Sequence, residues 1–174
     1  RAEFPAFSEP SLQGWAFFEN AGGSYMSRQV IEKFDRYYRA NKVQPYAFYP
    51  ASREAGAQMD NSHRRIAQAM NVGADWIHFG PSTSGNTYVL AHTFAGWLKP
   101  GEAIVVTNQD HEANTGVWRK LADRGIVVRE WKVDPQTGRL DLAELEKLLD
   151  SKVRAICFTH ASNVVGEIND VAAV

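Results

Sequence analysis

Residues 103–114 read AIVVTNQDHEAN, an unbroken apolar run that breaks into polar and charged residues. Ile104, Val105 and Val106 are β-branched, and a short run without alternation is what a strand covered on both faces requires. The polar stretch opens a helical pattern over residues 112–124 that puts Val117 and Leu121 on one face. Two more runs of the same kind follow, IVVREWKV at 126–133 and VRAICFTH at 153–160. Between them Leu142, Leu145, Leu148 and Leu149 form an apolar stripe at helical spacing, and Asp141 with Glu144 resembles a capping box at its start. Upstream, residues 76–79 read as a short strand. Residues 86–98 read as a helix with Leu90, Phe94 and Trp97 facing a core, stopped by Pro100-Gly101. From Trp76 the order is strand, helix, strand, helix, strand, helix, strand. That alternation predicts an α/β fold, a mainly parallel sheet with helices on both faces.

The segment before Trp76 has a different character. Residues 27–41 and 53–70 read as helices, the second with Met59, Ile66 and Met70 turned inward, and an aromatic loop lies between them. The expected organisation is a helical N-terminal arm over residues 1–75, followed by the α/β domain over 76–174. There are no internal repeats or low-complexity tracts.

Composition narrows the functional classes. Of 174 residues, 44% are apolar and 22% charged, which suits a packed core rather than a disordered chain. The 19 basic and 20 acidic residues nearly cancel, so charge offers no argument for a nucleic-acid or anionic-membrane partner. No apolar run reaches the roughly 18–20 residues that span a bilayer, and residues 1–10 do not read as a secretory signal. The expected setting is soluble and cytoplasmic. The chain has no initial Met and runs out in DVAAV, which reads as a piece of a longer protein. One cysteine, Cys157, excludes an internal disulfide and a Cys-rich zinc site; inside its strand it reads as a buried, inert thiol.

Open α/β sheets collect ligands at the carboxyl ends of their strands, and polar residues stand at three such places. Residues 80–86, GPSTSGN, join a strand to a helix. Small residues, hydroxyls and free N–H groups at a helix start suit a phosphate, although an ordinary Ser-capped turn has the same composition. A serine-hydrolase elbow is excluded, because Ser84 stands where the elbow requires Gly. Residues 108–114, NQDHEAN, offer His111 for stacking or acid–base work, or as a solvated side chain at a helix start. The five histidines show no paired ligand spacing, so no metal site is expected. Residues 159–167, THASNVVGE, follow the third apolar strand, as a site or as a simple turn.

Together with FFENAGG at residues 17–23, these segments resemble the class V aminotransferase family of pyridoxal-phosphate enzymes, on its cysteine-desulfurase-like branch. The resemblance rests on the order and spacing of four motifs and spans nearly the whole chain. It implies the large domain of pyridoxal-phosphate fold type I, incomplete here, and pyridoxal 5'-phosphate as cofactor. It matches Thr83, with Ser84 and Gly85, to the loop that holds the cofactor phosphate. His111 matches the catalytic residue that stacks on the pyridine ring, and Asn163 the residue that hydrogen-bonds the ring hydroxyl. Asn20 and Ala21 match a substrate-side loop. The implied substrate is an amino acid or related amine, and the implied reaction is transamination, C–S cleavage or epimerisation. The implied assembly is a homodimer, for which Tyr46, Phe48 and Tyr49 are a candidate contact. A non-catalytic α/β binding module is the competing reading.

Three departures bear on the substrate and leave the cofactor assignment intact. The phosphate loop reads PSTSG where desulfurases usually have Gly-Thr-Thr-Glu-Gly. Glu112 replaces the second His of the usual pair. Residues 44–50, QPYAFYP, stand where a basic, His-containing stretch is common. None of the seven lysines lies in the Ser/Thr-x-His-Lys type of context that the family uses for the Schiff base. These residues alone are therefore expected to be inactive.

Overall fold

The computed structural model describes residues 2–174 and divides into two compact units, one ending at Phe79 and the other comprising Gly80–Val174.

The first unit is helical. Two short 3-10 turns, Pro5–Ser8 and Pro10–Leu12, each begin on a proline, whose fixed φ suits a first helical position. Phe7, Phe17 and Tyr25 pack together at tilted to edge-on angles, with ring centroids 4.9–6.5 Å apart. Helix α1, Arg28–Arg36, runs on into a π turn, Tyr37–Asn41. Helix α2, Pro50–Met70, ends at Asn71 in the left-handed conformation. The loop between them is tied to α2 through buried Ser52, whose hydroxyl donates to the Gln44 carbonyl at 2.5 Å and accepts from the Ala47 amide at 2.7 Å. Tyr46, at φ +69°, lays its ring on α2. A Cβ at Gly56 would stand 2.7 Å from that ring, so glycine is what permits the approach. The buried face of α2 is therefore made of small residues, Ser52, Ala55, Gly56 and Ala67. Met59, Ile66 and Met70 point outward, contrary to the pattern reading, because close packing on this face selects small side chains over large ones.

The second unit is the α/β layer. Helix α3, Thr83–Trp97, leads to strand β1, Ala103–Thr107; helix α4, Glu112–Arg119, leads through a 3-10 turn to strand β2, Val127–Trp131. A five-residue helix α5, Leu142–Glu146, then precedes strand β3, Val153–Cys157. The strands form one parallel sheet in the order β2-β1-β3, with Val105 opposite Arg129 on one side and Ile156 on the other. Strand β1 is central, and its five residues are completely buried. Alternation along it separates two cores. Ile104 and Val106 face Ala91, Ala95, Trp118 and Leu121 of the α3–α4 layer. Val105 faces the opposite way, toward Trp131 and Leu145 beside α5. Helices cover both faces, as the alternation predicts.

Details differ where pattern alone is a poor guide. Residues 76–79 are not a strand. Ala74–Trp76 is a 3-10 turn, and Ile77 is extended and buried but joins no ladder among the described residues. A strand is made by its neighbours, and apolar composition cannot supply them. On α3 the buried stripe is Thr87, Ala91 and Ala95. Phe94 packs beside it while Leu90 and Trp97 stay exposed, since small residues let the helix lie close to the sheet. The helix predicted over 112–124 tightens into 3-10 geometry from Lys120 and stops at Gly125, φ +80°. Asp141 caps α5 by accepting from the Ala143 amide, but Glu144 turns to Lys147 instead of completing a capping box.

Candidate functional site

The three parallel strands end together, so the loops after Thr107 and Cys157 emerge at one end of the sheet. Helix α3 precedes β1 and starts at that same end. The Thr87 hydroxyl, one turn inside α3, donates to Asn114 Oδ1 at 3.4 Å, and Asn114 lies in the first turn of α4, just after β1. The structure thus brings Thr83, Ser84, Gly85, His111 and Asn163 to one end of the unit.

Each segment has a local reason for its shape. Ser82 is the N-cap of α3, its hydroxyl accepting the Gly85 amide at 3.1 Å. The amides of Thr83 and Ser84 come before the first intrahelical bond and face out of the helix end. Both side chains are exposed. A Cβ at Gly80 would collide with Asn86 Oδ1 at 1.6 Å and one at Gly85 would press on Pro81 at 3.3 Å, so the loop is compact backbone. Two outward amides, two hydroxyls and the positive end of a fifteen-residue helix suit a dianion.

His111 caps α4, with Nδ1 accepting the Ala113 amide at 3.0 Å while the ring stays exposed. Asp110 holds this turn. One carboxylate oxygen accepts the His111 amide at 2.7 Å, and the other accepts Asn114 Nδ2. The chain of bonds from Thr87 through Asn114 and Asp110 links the start of α3 to the His111 backbone amide. Asn163 is exposed in a tight loop built on Ser162. That buried hydroxyl donates to the Gln109 carbonyl at 2.9 Å and accepts the amides of Val164 and Val165. Gln109, also buried, bonds the Gly138 carbonyl at 2.7 Å and accepts Asn169 Nδ2 at 2.7 Å. The loops carrying His111 and Asn163 are therefore clamped together by neutral polar side chains.

Gln109, Asp110, Asn114 and Ser162 had no role assigned from sequence, although all lie inside the quoted motifs. Polar residues beside a glycine or histidine in a strand-end loop were the available signal. Asn20 and Ala21 belong to the first unit, in a turn where Asn20 Oδ1 accepts the Ser24 hydroxyl at 3.0 Å. Cys157 is not a candidate nucleophile: burial pushes its thiol up to about 12, where the thiolate is scarce at neutral pH.

A parallel α/β layer with a helix start, an imidazole and an amide at the carboxyl end of its strands defines a ligand-binding class of fold. The fold is that of a solved cysteine desulfurase from Escherichia coli, to which the chain superposes with a TM-score of 0.81 at 23% identity, covering 99% of this chain and 43% of that one. In sequence the chain is 32% identical over its whole length to an aminotransferase-like protein of Gibberella zeae, of which it covers 43%. It is 31% identical to a cysteine desulfurase of Serratia proteamaculans, of which it covers 44%. The class-V aminotransferase profile matches residues 16–174, and the chain belongs to that family. It spans less than half the length of these relatives.

Proposed function

We propose that this end of the sheet holds pyridoxal 5'-phosphate, and that the whole protein uses it on an amino acid or related amine, by transamination or C–S cleavage. The observation that carries the reading is the gathering of the α3 start, His111 and Asn163 at one strand end. The donor set fits the group. Thr83 and Ser84 offer hydroxyls and amides to a phosphate, with Gly85 keeping the backbone accessible. The exposed imidazole of His111 offers a flat face to an aromatic ring, and the Asn163 amide offers a donor to a phenolic oxygen. When bound, the cofactor supplies the electron sink that stabilises negative charge beside an amino group. The chain's own residues bind and orient it, and orientation governs which substrate bond is labile. Asn20 and Ala21 serve the substrate side, and the covalent lysine is none of the seven between Lys33 and Lys152. The working protein is a cytoplasmic homodimer.

The test is titration of the full-length protein with pyridoxal phosphate, followed by absorbance. Thr83→Ala and Asn163→Ala should each weaken binding while the unfolding transition stays cooperative. Failure of the unsubstituted protein to bind the cofactor would overturn the reading.

A further inference from the structure

His111 does two jobs with one ring, and the first restricts the second. Its Nδ1 receives the Ala113 amide as the N-cap of α4. A backbone amide can only donate, so Nδ1 must present its lone pair. A neutral imidazole has one protonated and one unprotonated nitrogen, which leaves the proton on Nε2. Turning the ring over would set a C–H against the Ala113 amide and abandon the cap. The backbone that carries the ring is itself held in the capping position. The His111 amide is held by Asp110, and the His111 carbonyl accepts the amides of Asn114 at 2.9 Å and Thr115 at 3.2 Å.

We infer that His111 is locked by its capping bond in the Nε2–H form and acts on its ligand as a hydrogen-bond donor, not as a base. The neutral ring has a single lone pair, and the helix occupies it. Taking up a proton at Nδ1 requires breaking the cap. Proton removal from a substrate therefore falls to another group, and His111 orients the bound ring and offers one N–H. What the ring faces rests on the cofactor reading above; the tautomer does not.

The measurement is long-range proton–nitrogen correlation on the full-length protein labelled at histidine nitrogen, at neutral pH and without cofactor. His111→Asn identifies the His111 signals by their loss. The expected pattern is a pyridine-like Nδ1 and a pyrrole-like Nε2. The reverse pattern, or averaged nitrogens typical of a free imidazole, would overturn the inference. A second readout is stability. Asn is itself a strong N-cap, so His111→Asn should unfold like the parent, whereas His111→Ala should raise the unfolding equilibrium constant roughly fivefold. Equal stability of the two variants would also count against it. Added pyridoxal phosphate separates the two readings: absence of binding defeats the cofactor reading and leaves the tautomer result standing.

Discussion

At the residue scale, the side chains that shape the site act mostly on backbone amides. Ser82 and His111 each cap a helix, one with an oxygen and one with a nitrogen. Losing a good cap costs about 1 kcal/mol, so Ser82→Ala should lower the stability of the protein by that order in urea unfolding. Because the cap also holds the loop before α3 in shape, cofactor affinity in the proposed site should fall with it. In the proposed site, stacking by His111 contributes about 0.5–1.5 kcal/mol beyond area burial. On the proposed function, His111→Ala should consequently reduce turnover by the full-length protein more than its retention of cofactor, as steady-state rates and equilibrium dialysis would show. Cys157 makes a pH prediction with a definite sign. Its thiol titrates at about 12 when folded against an unfolded value of 9.0, so between these the unfolded chain holds fewer protons. Stability from this group is complete below pH 9 and declines as pH rises toward 12. Denaturation followed at alkaline pH should show the decline, and Cys157→Ala should remove that part of it.

At the element scale, the two strand-end loops owe their mutual placement to Ser162 and Gln109. Both side chains are buried, so deleting either strips several partners of a bond made inside the fold. Ser162→Ala strips the Gln109 carbonyl and the Val164 and Val165 amides of one shared partner, and should cost about 1–3 kcal/mol. The same variant should loosen the Asn163 loop, seen as faster amide exchange at Val164 and Val165 than elsewhere in the sheet. Gly125 is the hinge between the end of α4's 3-10 extension and β2. It sits at φ +80°, with Pro100 Cβ 3.2 Å from where its own Cβ would be. Gly125→Ala meets both a left-handed backbone and a backbone-anchored neighbour, and should destabilise by about 1 kcal/mol or more in thermal unfolding. The strands themselves were legible because β1 is wrapped on both faces, which leaves no room for polar alternation. The helices were legible as elements and in part as faces, since Val117, Leu121, Leu145 and Leu148 do pack against the core. On α2 and α3 the pattern turns large residues inward, whereas Ala, Gly, Ser and Thr form the contact, with Phe94 packed beside them.

At the scale of the whole molecule, the distribution of basic and acidic groups ties the α/β unit together at its edges. Arg129 on β2 pairs with Asp150 at 2.7 Å, and Arg154 on β3 pairs with Glu102 at 2.8 Å. Hydrogen bonds to Arg129 and the Lys152 amide hold Asp150 below its ordinary value, and the Lys99 amide with Arg154 does the same for Glu102. Carboxylates depressed in this way stabilise the fold above their unfolded values and lose that contribution as pH falls through the folded ones. Acid unfolding should therefore shift to higher pH in Arg129→Met and Arg154→Met. The lysines make the last prediction. Lys147 is engaged by Glu144, and Lys132 lies 4.0 Å from Glu130. Residues 1–174, mixed with pyridoxal phosphate and reduced with borohydride, should yield no single stoichiometric adduct by mass analysis. One such adduct would refute the assignment of the covalent lysine to another part of the protein.

Local patterns in the chain determine a good deal by themselves. Apolar runs 103–108 and 153–160, the helical stripes between them and the polar residues at the strand ends are enough to predict a parallel α/β layer and its candidate ligand end. They suffice because burial on two faces and helical periodicity are local requirements written in consecutive residues. Tertiary structure alone decides three things. It leaves residues 76–79 without a ladder among the described residues, because strand pairing depends on a neighbour supplied from elsewhere. It turns small residues inward on α2 and α3, because close packing is a property of the pair of surfaces. It also makes Asp110, Asn114, Gln109 and Ser162 into a frame for His111 and Asn163. Hydrogen bonds between residues 27 and 53 positions apart exist only once the sheet has brought the loops together.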